Sequence, residues 1–101
     1  MHSRTELQTE LETKLGSRNV YFQPPENFKM KYPAIVYKRN PITNRHADNG
    51  VFSQAQGYTL TLISPNPLEP CIEKLSRMPT CRHASSYVAD NLYHDVFEIY
   101  Y

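Results

Sequence analysis

Gly57-Tyr58-Thr59-Leu60-Thr61-Leu62-Ile63 is the stretch whose reading decides the fold. Tyr58, Leu60 and Leu62 fall on one side of an extended chain, and Thr59 and Thr61 on the other. That alternation is the pattern of an antiparallel strand with one face in a core. Downstream, Ser64-Pro65-Asn66-Pro67 halts the strand and starts a helix, with Asn66 as N-cap, Pro67 at the first helical position and Glu69 at the third. Pro70 fits within the first turn, where amides are spare. Leu68, Ile72 and Leu75 form the apolar face of this helix, Cys71 flanks it, and Pro79 closes it. Residues 81 to 88 and 95 to 101 then read as two strands linked by Ala89 to His94, in which Asp90-Asn91 is turn chemistry.

Upstream, residues 40 to 56 carry Asn40-Pro41 and Asp48-Asn49-Gly50 and almost no periodicity. They read as a long flexible loop, of the kind that connects in solvent or orders on binding; Asp48-Asn49-Gly50 alternatively turns a hairpin. Residues 33 to 39 form a strand with Ile35 and Tyr37 on one side and Ala34, Val36 and Lys38 on the other, apolar enough on both for a central position. Asn19 to Gln23 forms the first strand, ended by Pro24-Pro25, which cannot donate ladder hydrogen bonds. Residues 3 to 15 read as a helix with Leu7, Leu11 and Leu15 along one stripe. Ser3-Arg4-Thr5-Glu6 fits a capping box and Gly16 supplies the left-handed stop. With its other faces polar, this helix is expected on the outside of the fold.

The element order is α-β-β-β-α-β-β. The implied fold is α+β: a small, mostly antiparallel sheet of four to five strands with two helices packed on it, forming one domain over residues 1 to 101. The expected core is Tyr21, Phe22, Ile35, Tyr37, Leu60, Leu62, Leu68, Ile72, Leu75, Phe97 and Ile99.

A formal charge of +1, from 11 Lys and Arg against 10 Asp and Glu, argues against wrapping of nucleic acid, which needs a clear basic patch. No run of 18 or more apolar residues is present, so no membrane span is expected. The N-terminus lacks the apolar stretch of a signal peptide, and the chain reads as a cytosolic product in which Cys71 and Cys81 are free thiols.

No polar set converges as a catalytic site does, and no cofactor or metal site is expected. His46 with Asp48, and His94 with Asp95, are the only His–carboxylate neighbours, and a metal needs three or four ligands. Cys81 and His83 share a strand face, as a thiol–imidazole pair would; a small buried thiol beside a polar His is the simpler reading. Glu26, Glu69, Glu73 and Glu98 lie on separate elements and form no acid–base pair. Tyr supplies 8 of the 101 residues, each an apolar ring with one hydrogen-bonding tip, which suits half-buried faces and interfaces. Tyr100-Tyr101 is either the end of the final strand or a tail that docks on a neighbour. Arg45, His46 and Asp48 in the 40–56 loop, helix 3–15, and Tyr100 and Tyr101 are the candidate interface residues.

Three strings carry a resemblance: Asn19-Val20-Tyr21-Phe22-Gln23-Pro24-Pro25, Met30-Lys31-Tyr32-Pro33-Ala34-Ile35-Val36-Tyr37, and Asn91-Leu92-Tyr93-His94-Asp95-Val96-Phe97-Glu98-Ile99-Tyr100-Tyr101. From about Asn19 onward the chain resembles the tail-terminator or tail-completion proteins of long-tailed bacteriophages. The resemblance implies a structural virion protein and not an enzyme. Such a protein forms a ring, commonly a hexamer, that caps the head-proximal end of the tail tube. It would touch further copies of itself, the tail tube protein and a head-completion or connector protein, with DNA at most passing through the lumen. The expected location is the head–tail junction of the virion, after assembly in the bacterial host cytoplasm. A head-closure or head–tail adaptor protein is the neighbouring alternative, and a small regulatory or nucleic-acid-binding module is the second.

Overall fold

The strand over Gly57–Ser64 lies at the centre of a five-stranded sheet, in a computed structural model that describes residues 4–25, 29–40, 56–67 and 69–101. The elements are α1 (Arg4–Leu15), β1 (Val20–Phe22), β2 (Ala34–Arg39), β3 (Gly57–Ser64), α2 (Cys71–Ser76), β4 (Cys81–Ala89) and β5 (Leu92–Tyr100). The strand order is β1-β2-β3-β5-β4, so β5 inserts between β3 and β4. β3, α2 and β4 thus form a β-α-β unit whose two strands are split by the returning β5. The fold is α+β and mostly antiparallel. The exception is β1, which runs parallel to β2 with Val20 opposite Ile35 and Phe22 opposite Tyr37.

Register sorts the side chains onto two faces. Ile35 and Tyr37 lie opposite Leu62 and Leu60, and Tyr58 and Leu60 lie opposite Ile99 and Phe97. These residues, with Val20, form one apolar layer, and both helices pack on it through Leu7, Leu11, Cys71 and Leu75. Thr59, Thr61, Val36 and Val96 point the other way, to a face that no helix covers among the described residues.

The expected core needs revision at three places. Tyr21 is only half-buried, because Val20 and Phe22 face the helices and the period of two turns Tyr21 to the open face. Phe22 and Ile72 are also only half-buried, packed against the core cluster, whereas Cys71 is 1% exposed and Met78 completes the cluster. Leu68 lies outside the described residues, as does the Ser3 of the capping box. Leu7 and Leu11 are fully buried, so α1 is a core helix with a polar back.

Two boundaries also move. α2 starts at Cys71, not at Pro67: Pro70 disfavours helical geometry at the residue before it, so Glu69 stays outside the helix. The Glu69 carboxylate instead accepts the Cys71 N–H at 3.4 Å and the Ser64 hydroxyl at 3.4 Å. The last loop shrinks from six residues to two. Asp90 and Asn91 both take positive φ, 53° and 65°, the type I′ geometry that closes a two-residue hairpin and that these side chains tolerate. β5 therefore begins at Leu92. Gly16, at φ 82°, ends α1 as expected, and its N–H reaches the Glu12 carbonyl at 2.8 Å.

A polar tie fastens α1 to the sheet. The buried Tyr37 hydroxyl donates to Gln8 Oε1 at 2.6 Å and accepts from Arg4 Nη1 at 3.1 Å. The Gln8 amide in turn donates to the Val20 carbonyl at 3.0 Å. Burial pushes the Tyr37 phenol up, while the Arg4 guanidinium opposes that shift. Tyr37→Phe would leave the half-buried Gln8 Oε1 without its donor; it is expected to cost about 1 kcal/mol, read as a lower urea midpoint at unchanged slope.

Candidate interaction surface

β4 is the informative element. It is nine residues long and lies at the sheet edge, yet every residue from Arg82 to Val88 is exposed. Its partner β5 is buried only at Phe97 and Ile99. The helix layer therefore covers the Cys81 end of the hairpin and leaves the turn end bare. There Tyr87, Val88 and Tyr93 are exposed apolar residues, and the Tyr87 ring stacks on His94 at 4.7 Å.

The hydrogen-bond parity of the sheet shows which backbone groups of β4 face outward. Gln56 and Tyr101 exchange both amide bonds, at 3.0 and 3.2 Å, just beyond the β3–β5 ladder. In an antiparallel ladder that places the odd-numbered β5 residues in bonded pairs with β3, and the even-numbered ones with β4. Ser85, Tyr87 and Ala89 are therefore bonded to Val96, His94 and Leu92, while the amides of Ser86 and Val88 point away from the sheet. A register shift between His83 and Ser85 sets a bulge before this segment. From Ala84 to Ala89 there is no charge and no proline, the residues with which edge strands usually block pairing.

The charged groups beside this edge are paired within the hairpin. Arg82 Nη2 lies 2.7 Å from Glu98 Oε1 on the open face, and His83 Nε2 lies 3.1 Å from Asp95 Oδ1 on the helix face. His94 and Asp95 point to opposite faces and do not form a ligand pair. Cys81 and His83 do share a face, but the imidazole is directed to Asp95 and packs edge-on against Phe97. Burial pushes the Cys81 thiol up to about 11 and the Cys71 thiol up to about 12, the opposite of an activated nucleophile. At pH 8 native Cys81 is expected to alkylate with iodoacetamide about a hundredfold more slowly than a free thiol.

The sign for stability follows from the same shifts. Thiols whose pKa is raised by folding favour the folded state while they stay protonated. That contribution is present below about pH 9 and is lost as pH rises toward 12. Urea midpoints are expected to fall across that interval, and to fall less in Cys71→Ala.

The C-terminal tyrosines are placed apart. Tyr101 continues the β5 pairing through Gln56 and packs against the core cluster; burial pushes its phenol up, with Glu10 and Glu6 of α1 adding to the shift. Tyr100 faces the open side and is half exposed. Its ring lies over Gly57, where an added Cβ would sit 3.2 Å from Tyr100 Cε1. Tyr100 and Tyr101 thus close the final strand, and of the two only Tyr100 is exposed. Arg45, His46 and Asp48 lie outside the described residues. Among the described residues, no three His, Cys, Asp or Glu side chains gather as a metal site, and no helix is long and apolar enough to cross a membrane. The sequence held one sign of the β4 surface, the uncharged run Ala84-Ser85-Ser86-Tyr87-Val88-Ala89. Its edge position depends on β5 folding back between β3 and β4, which no local pattern records. Compared with protein-family models, curated proteins and solved structures, the chain finds no match.

Proposed function

We propose that the chain is a structural protein of a long-tailed phage, a tail-terminator ring subunit that caps the tail tube and meets the head connector. The carrying observation is β4: a nine-residue edge strand exposed along its interior, with outward amides and no blocking charge or proline between Ala84 and Ala89. Such an edge is a liability on a lone subunit and an asset when a neighbour covers it. Rings are built from heterologous contacts, in which one patch meets a different patch on the next copy. The α+β layout supports the reading, since a small sheet flanked by helices is what the resemblance implies. The chemistry at the hairpin supports it as well: carboxylate, imidazole and guanidinium are spent on one another, and the thiols are held protonated.

The test is tube capping. Added to the polymerising tail tube protein of the same phage, the chain is expected to stop growth and to appear as a ring of density at one tube end in electron micrographs. Tubes that grow to the same length distribution with and without the chain, and carry no terminal density, would contradict the function.

A further inference from the structure

We infer that successive copies meet head to tail through opposite margins of the sheet, the β4 margin of one against the β1–β2 margin of the next. The inference rests on the ring reading and names the surfaces that close the ring. The two margins carry opposite charge. Arg18, Lys29, Lys31, Lys38 and Arg39 line the β1–β2 side; all five are exposed, and none has a carboxylate partner among the described residues. The β4–β5 side carries Asp90 at the turn, with Asp95 and Glu98, against Arg82 alone. With Arg82 matched to Glu98 and Asp95 set against His83, this margin keeps the unmatched negative charge of Asp90 at the turn. The net charge of +1 thus conceals a polarised sheet.

That polarity selects the arrangement. Two cationic margins repel, and two β4 margins brought together leave the cationic margin uncovered. A head-to-tail contact satisfies both at once, and repeating it closes a ring. The ends correspond as well. Arg18 precedes β1, and Lys29 and Lys31 precede β2, at the end of the sheet where the Asp90 turn lies; Lys38 and Arg39 lie at the end that holds Arg82 and Glu98. The bare outer edge of β1 does not compete for β4 as a strand partner. It is three residues long, with the Val20 N–H bonded to Arg18 and the Val20 carbonyl bonded to Gln8. Charge, together with bonds from the outward β4 amides to side chains of the neighbouring margin, makes the joint, with no continuous backbone ladder across it, so association weakens with salt.

A charge swap tests this. The first variant carries Lys29→Glu, Lys31→Glu and Lys38→Glu; the second carries Ser85→Lys, Ser86→Lys and Asp90→Asn, since Asn tolerates the positive φ at position 90. Sedimentation velocity on the full chain is the readout, with circular dichroism melts to show that both variants fold. The wild type is expected to assemble, each variant alone to associate at least about tenfold more weakly, and their equimolar mixture to recover wild-type assembly. A wild type that assembles while the first variant assembles equally well would overturn the inference and leave the ring reading standing, with a β4–β4 or another contact in its place. If the first variant assembles normally but loses a salt-sensitive shift of duplex DNA, the cationic margin is a nucleic-acid site and the inference falls. A wild type that stays monomeric at every concentration overturns the inference and the ring reading together. Should either variant fail to fold, single Lys31→Glu and Ser86→Lys variants carry the same comparison.

Discussion

Phe97→Ala is expected to lower the melting temperature by at least about 15 °C, the largest effect of any single substitution in the domain. Phe97 is fully buried, lies opposite Leu60 on the central strand, and receives the His83 ring edge-on at 5.0 Å. It is one of the two buried residues of β5, so loss of its ring leaves a cavity in the layer between sheet and helices. Removing a buried Phe side chain costs about 3–5 kcal/mol, against a total stability of about 5–15 kcal/mol for a domain of this size. His83→Ala, at the exposed side of the same contact, is expected to cost far less. A thermal melt of Phe97→Ala within about 5 °C of wild type would show that the core is not organised around β3 and β5.

Ser86→Pro is expected to abolish assembly while the subunit stays folded. The Ser86 amide points away from β5, so a proline there breaks no bond of the β4–β5 ladder; edge positions of this kind are where strands tolerate proline. It removes an outward donor and places a rigid ring on the surface that the next copy covers. Tyr87→Pro is the contrasting variant, because the Tyr87 amide is bonded to His94 and its loss opens the hairpin. Sedimentation and far-ultraviolet circular dichroism separate the two: Ser86→Pro is expected to be monomeric with a wild-type spectrum, Tyr87→Pro monomeric with reduced strand signal. Ser86→Pro that still sediments as the wild-type oligomer would remove β4 from the interface.

The parts of this fold that were legible in the sequence are those written in local period. Tyr58, Leu60 and Leu62 mark β3 without help from anything distant, and Leu7, Leu11 and Gly16 mark α1 and its end. Side-chain parity in β1 was legible too, but reading Tyr21 and Phe22 as core together ignored the period of two. The start of α2 was misplaced because Asn66-Pro67 is a good helix signal in isolation, and only Pro70 three residues later overrides it. Topology was not legible: the parallel pairing of β1 with β2, and the insertion of β5 beside β3, are set by which strands can share one apolar layer under two helices. The candidate surface suffered for the same reason. Nothing in Ala84 to Ala89 says edge, since an uncharged run reads equally well as a central strand until its neighbours are known.

Native mass spectrometry of the wild-type chain at low ionic strength tests the assembled state most directly. A single closed species at one integral multiple of the 11.8 kDa chain, with no ladder of lower multiples and with dissociation as salt rises, is the predicted spectrum. A spectrum holding only the 11.8 kDa monomer over the whole accessible concentration range would contradict it.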